Sequence, residues 1–273
     1  MRGLQTTFEA AKTTLTLIFL FYASWSDYKT REVSNRVWIV FAPLALALSL
    51  VELLLYEPSN LIFFGVSFGL TSVFALVLFY SGGFGGADSK ALMCLALALP
   101  FFPEKLVVPL LAEGASPLSQ LIFPLTVFSN GVLFAAATAI YMLLRNLIWH
   151  MRTGDKMFEG NLGAQSFWKK IVVLITGSKV SVTKLKEKWH VYPMEDVEEN
   201  AEDELKRKLV VIPRDEGRDA TVERLAKAVE ARKIEDEVWA TPGLPMLIFI
   251  TAGLIIALLF GDIIWIIVRF ALG

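Results

Sequence analysis

Cysteine is nearly absent from this 273-residue chain, which has one, Cys94. A single thiol excludes an internal disulfide and any CxxC zinc pair, and its place in an apolar run makes it a small core residue. Histidine is almost as scarce: His150 and His190 form no obvious pair. Charge is thin as well, at 19% of residues, with 26 basic against 27 acidic side chains and a formal net charge of -1. That balance gives no basis for nucleic-acid binding, and the KLKEKWH and ELKRK clusters are interleaved with or followed by acids. No long repeat or low-complexity tract is present, and the chain carries no signature of a metal site or cofactor.

Apolar residues are what the chain has, at 55%, with the charges gathered between about Arg145 and Val238. This is the composition of a membrane protein with one polar insertion. A bilayer core needs roughly 20 apolar residues per helix. Six segments approach that length: Ala11 to Trp25, Val37 to Tyr56, Leu61 to Tyr80, Ser89 to Leu111, Ile122 to Trp149 and Gly243 to Leu272. The first is short, and the fourth is interrupted by Pro100 and Pro103. Few positive charges precede the first run and no small-residue cleavage pattern follows it, so it reads as a retained span. The expected fold is an α-helical polytopic membrane protein of about six transmembrane helices, with a small α+β cytoplasmic domain inserted before the last. Residues 1–151 hold five helices, 152–241 the soluble domain and 242–273 the sixth helix.

Lys29, Arg31 and Arg36 lie in the first loop, Lys90 in the third, and Arg145, Arg152 and Lys156 after the fifth span. The other side has little more than Arg2, Lys12, Lys105 and Arg269. The positive-inside rule then puts both termini outside and the insertion in the cytoplasm. Within the insertion, Lys170 to Thr183 reads as two β-branched runs joined by a Gly-Ser turn, and Lys208 to Pro213 as a third strand. Residues Asp219 to Lys233 have helical spacing. The acidic run Glu195 to Glu204 reads as a solvated loop, with attraction of a positively charged substrate segment as the sharper alternative.

This topology brings Asp27 and Asp88 to one membrane face, at the inner ends of spans one and four. Either alone is an ordinary residue: Asp27 paired with Lys29 or Arg31, Asp88 a first-turn acid favoured by the helix dipole. Together they can share a proton, because mutual repulsion disfavours ionising both. The charged member can activate water and the protonated one can donate to a carbonyl oxygen, without metal, thiol or histidine. Gly82, Gly83, Gly85 and Gly86 precede Asp88. They permit close backbone approach or loop movement beside it. A flexible turn explains one or two glycines more naturally than four. Asp262 lies toward the outer end of the last span, and Glu52 toward the outer end of the second, where a local partner suffices.

The chain resembles the type IV prepilin peptidases, most closely the archaeal preflagellin (prearchaellin) and prepilin peptidases, which are GxGD-type membrane aspartyl proteases. The resemblance rests on Asp27 followed by Lys29 and Val33-Ser34-Asn35, on Gly85-Gly86-Ala87-Asp88-Ser89-Lys90, on the six spans, and on Trp239 to Met246. One departure is Ala87, where the strict motif has glycine. The resemblance implies that Asp27 and Asp88 are catalytic. It also implies that a short basic leader is removed from precursors with a hydrophobic N-terminal helix, at the cytoplasmic face of the cell membrane. Lys29 and Lys90 are candidates for positioning the substrate. The cysteine pairs that accompany methylation in bacterial enzymes are missing, so methyl transfer is not carried over. Two other classes remain open on the residues alone: a transporter using the aspartates for cations or protons, and a non-enzymatic assembly scaffold.

Overall fold

A computed structural model describes residues 2–111, 116–154, 156–199, 205–211, 217–241, 243 and 245–272. The chain divides into two compact units, Met1–Ala135 with Pro245–Gly273, and Ala136–Leu244. The first is helical: α1 (Arg2–Thr30), α2 (Asn35–Tyr56), α3 (Leu61–Tyr80), α4 (Gly86–Ala98), α5 (Pro117–Leu121), the opening of α6 (Phe123–Thr153), α10 (Met246–Phe260) and α11 (Ile263–Leu272). Among the described residues, three helices are long and apolar enough to cross a membrane: α2, α3 with its preceding turn, and α6. The pair α10 and α11, bent by 60°, makes a fourth if it is one broken span.

The two other expected spans differ from their outlines. Helix α1 begins at Arg2 instead of Ala11, because its charges are satisfied inside the bundle. Glu9 accepts the amides of Lys105 (2.9 Å) and Leu106 (2.8 Å), and buried Lys12 pairs with buried Glu52 of α2. Helix α4 stops at Ala98 and is about 20 Å long, against a hydrocarbon core of about 30 Å. It packs against α1, α2, α3 and α10 and buries Ser89, Ala91, Leu92, Cys94, Leu95, Ala96 and Ala98. A helix wrapped by others does not have to span, since irregular backbone at membrane depth is tolerated where protein covers it. The carbonyls freed after α4 are met from outside: Ser49 of α2 donates to Leu97 (2.7 Å) and Ala98 (3.1 Å), and Ser67 of α3 to Pro100 (2.9 Å).

Helix α1 is fixed to α10 by Ser24, whose hydroxyl donates to the Leu247 carbonyl at 2.9 Å and lies 2.7 Å from the Thr251 hydroxyl. The first part of α6 crosses α10 at glycine: a Cβ on Gly253 would sit 2.2 Å from the Val127 carbonyl oxygen. Small residues at such crossings let helix backbones touch. The α10–α11 break is built by Asn130, which donates to the Gly261 carbonyl (2.9 Å) and accepts the Ile263 amide (3.1 Å). Buried Asp262 caps Trp265 (3.0 Å) and accepts from Ser116 (2.7 Å).

The second unit holds the end of α6, α7 (Phe167–Thr176), β1 (Ser178–Ser181), α8 (Val182–Glu187), β2 (Tyr192–Pro193), β3 (Glu195–Glu199), β4 (Leu205–Leu209), α9 (Arg218–Glu230) and β5 (Glu237–Thr241). Strands β1, β5 and β2 form one antiparallel sheet in that order, and β3–β4 a separate hairpin. Three expectations are corrected. The first β-branched run is helix α7, because Val173 turns into a core with Leu162, Met194, Leu209 and Trp239. The third strand runs Leu205–Leu209, and Ile212 and Pro213 lie outside the described residues. The acidic run is no solvated loop where it is described: Glu195–Glu199 is β3, facing the basic β4 with Asp196 opposite Lys208 and Glu198 opposite Lys206. Glu195 is fully buried, accepting Arg207 Nη2 (2.6 Å) and the Trp239 amide (2.8 Å). Residues 200–204 of that run lie outside the described residues.

Candidate active site

Asp27 sits in the last turn of α1, half-buried. Its carbonyl accepts the amide of Arg31 at 2.9 Å, and Arg31 leaves the helix with φ 56°. The turn that follows is tied by hydroxyls: Ser26 donates to the Glu32 carbonyl at 2.8 Å, and Thr30 to the same oxygen at 3.0 Å. Lys29 does not pair with Asp27; its ammonium lies 4.6 Å from the Trp25 ring centroid. Arg31 stands as a counter-charge to Asp27. Among the described residues no hydrogen bond reaches the Asp27 carboxylate.

Asp88 is the third residue of α4 and also half-buried. One oxygen, Oδ2, accepts the Gly85 amide at 3.0 Å, so the residue does cap its own helix. Oδ1 has no hydrogen-bond partner among the described residues. Gly85 is the cap position because the carboxylate folds back over it: a Cβ there would lie 3.2 Å from Oδ2. Gly82, with φ 77°, turns the chain out of α3 in a conformation other residues rarely adopt. Gly83 donates to the Leu78 carbonyl at 2.9 Å, while Gly86 opens α4. Ala87 is helical, so the alanine in place of the motif's glycine meets no backbone obstacle. Lys90 does not point to a free site; its ammonium donates to Asn35 Oδ1 at 2.6 Å, joining the second turn of α4 to the first residue of α2.

The two aspartates therefore come from different helices that pack together, α1 and α4, and are close enough for the charge on Asp27 to act on Asp88. Each keeps at least one oxygen unengaged among the described residues. Such a pair can hold one proton between two carboxyls and present a base and an acid to a single bond. No group of three or more His, Cys, Asp or Glu side chains suited to a metal occurs among the described residues. Cys94 is buried in α4.

Sequence reasoning missed a second polar cluster in the helical unit. Roughly 22 Å along α1 from Asp27, Glu9, Lys12 and Glu52 line a cavity of about 430 Å³ with Glu57 and Lys105. Here each lysine has a carboxylate, Lys12 with Glu52 and Lys105 with Glu57, which also accepts Gln5 at 2.6 Å, while the third acid, Glu9, is held by the backbone amides of Lys105 and Leu106. The signal available was the coincidence of Glu9 and Lys12 with Glu52 at the same end of neighbouring apolar runs.

Two family models match stretches of the chain. Residues 14–136, which include both aspartates, fit the model of the type IV leader peptidase family. Residues 169–263 fit the model described as the archaeal peptidase A24 C-terminus, type II. The chain is 29% identical over 255 residues to a preflagellin peptidase of Methanococcus voltae, covering 90% of this chain and 93% of that protein. It is 25% identical over 247 residues to a preflagellin peptidase of Methanococcus maripaludis (89% and 92%) and 26% over 252 residues to one of Methanocaldococcus jannaschii (90% and 92%). Two family models that between them take in most of the chain, and relatives matched along nearly their whole length, agree with one another: the chain is similar to archaeal members of the type IV leader peptidase family and is a protease.

Proposed function

We propose that the protein is a membrane aspartic endopeptidase that uses Asp27 and Asp88 to remove the short basic leader from archaellin (preflagellin) or type IV pilin-like precursors, at the cytoplasmic face of the membrane. The observation that carries this reading is a pair of incompletely partnered carboxylates at the ends of two helices that pack together, inside the region that matches the peptidase model. The printed names of the relatives support the precursor class.

In the reaction, the ionised carboxylate takes a proton from water as the water oxygen adds to the scissile carbonyl carbon, and the protonated carboxyl donates to the carbonyl oxygen. The tetrahedral intermediate collapses with cleavage of the C–N bond. The departing amine takes up the proton gained by the base, and the intermediate's hydroxyl returns its proton to the other carboxylate. The peptide must be locally extended, because a helical backbone shields its carbonyls. Gly82 to Gly86 give the space and freedom for that approach.

The same reading takes α1, α2, α3, α4, α6 and the α10–α11 pair as six membrane segments, with both termini outside. It places the soluble part, residues 152–241, in the cytoplasm, supported by the basic residues near the inner span ends. Methyl transfer is not expected. Cleavage of a preflagellin-type precursor by membranes carrying equal amounts of wild type, Asp27→Asn and Asp88→Asn tests it. Each variant should lose about 10²- to 10⁴-fold in rate; near-normal cleavage by either would retire the acid–base pair.

A further inference from the structure

The second unit has an apolar feature that its own fold covers only in part: Phe167 and Trp168 are exposed, and Ile171, Val172 and Ile175 are half-buried. Helix α7 turns Val173 and Leu174 into the small core around Trp239. Trp168, Ile171, Val172 and Ile175 follow one another at i, i+3, i+4 and i+7, a second stripe on a different side of the helix. Phe167 and Trp168 at its start are 69% and 72% exposed, their rings 5.9 Å apart edge to face. A helix on the surface of a water-exposed domain carries polar residues there. The helix is also fixed at a particular level: buried Asn146 of α6 donates from one amide nitrogen to the Leu174 and Gly177 carbonyls, both at 2.8 Å, at the end of α7. Asn146 is about 35 Å along α6 from Phe123, just past a hydrocarbon core of about 30 Å. Just before Asn146, α6 exposes Ile140, Tyr141 and Leu144. Between residues 145 and 170 the chain has five basic residues, Arg145, Arg152, Lys156, Lys169 and Lys170, against two acids, Asp155 and Glu159.

We propose that α7 is an in-plane membrane anchor. Phe167 and Trp168 enter the boundary between headgroups and acyl chains in the leaflet where α6 emerges, and Lys169 with its basic neighbours faces anionic headgroups. This rests on the reading of α6 as a membrane span. Aromatic rings flanked by lysine suit that boundary, being apolar in the body and cationic at the edge. The anchor keeps the second unit at the surface from which a membrane-bound precursor would present its leader.

The test uses the full chain with Cys94→Ala, reconstituted as single copies in nanodiscs of phosphatidylcholine with phosphatidylglycerol. An environment-sensitive fluorophore is placed at Trp168→Cys, at Lys169→Cys or, for reference, at Trp189→Cys, which is exposed in the same unit. The label at 168 should be quenched more by lipids carrying the quencher at a shallow acyl position than at a deep one, and several-fold less by aqueous iodide than the label at 189. Replacing phosphatidylglycerol with phosphatidylcholine should weaken the protection. Iodide quenching at 168 and 169 equal to that at 189 would overturn the anchor, as would protection from iodide without lipid quenching, which would mean that protein covers the stripe. A label at Phe134→Cys, exposed about half-way along the same stretch of α6, separates the premise from the proposal: if deep-quencher lipids do not reach it, the spanning role of α6 fails first.

Discussion

Asp88 and Glu195 are both carboxylates withdrawn from water, one in each unit, and their surroundings are opposite. Glu195 has both oxygens engaged, Oε2 by the Arg207 guanidinium and Oε1 by the Trp239 amide. Asp88 has one oxygen on the Gly85 amide, and its electrostatic neighbour is a second carboxylate, Asp27. The matched cluster of Lys12, Glu52, Glu57 and Lys105 belongs with Glu195. A carboxylate whose partners are complete holds structure. One left short of partners beside a like charge stores the capacity to exchange a proton, which is the basis for proposing Asp27 and Asp88, and not the matched carboxylates, for the chemistry.

The contrast can be broken at several strengths. Asp27→Asn or Asp88→Asn should remove cleavage by about 10²- to 10⁴-fold, equivalent to about 3 to 5 kcal/mol of barrier, with the melting temperature close to wild type. Glu195→Ala should do the reverse. Leaving Arg207 buried without its partner should destabilise the second unit by about 3 to 5 kcal/mol, read by denaturant or thermal unfolding. Gly253→Ala should cost about 1 to 3 kcal/mol through the forced Val127 contact, seen as a lower unfolding temperature with the catalytic chemistry intact once folded. Removing the Lys90–Asn35 bond with Lys90→Ala should cost about 0.5 to 1.5 kcal/mol. If lysine also contacts substrate, Lys29→Ala with Lys90→Ala will raise KM, and unchanged cleavage kinetics would deny that role. Glu198→Gln, at an exposed pair with Lys208, should change stability by about 0 to 1 kcal/mol.

Much of the candidate site was legible because it is local. Asp27 after an apolar run and Asp88 after four glycines are visible as letters, and the expected span alternation is what predicts one face for both. The contacts of the lysines were legible only in part: Trp25 lies one turn before Lys29 on the same helix, whereas Asn35 reaches Lys90 through a tertiary contact. The β-branched run Ile171-Val172-Val173 suits a strand as well as a short buried helix, and only the core around Trp239 decides. The acidic run looked solvated because its partner is a basic run several residues later. The complementary signs of 195–199 and 205–209 were the available clue. The shortness of α4 was signalled by Pro100, whereas its central position depends on the surrounding helices and on hydroxyls from Ser49 and Ser67.

The most direct measurement is a double-mutant cycle on precursor cleavage with wild type, Asp27→Asn, Asp88→Asn and the double variant, at matched expression and folding. If the two carboxylates act as one unit, the double variant will be no slower than the slower single one, since removing either partner already removes the acid–base pair. Losses that multiply, or a single variant that still cleaves at the wild-type rate, would contradict the shared site.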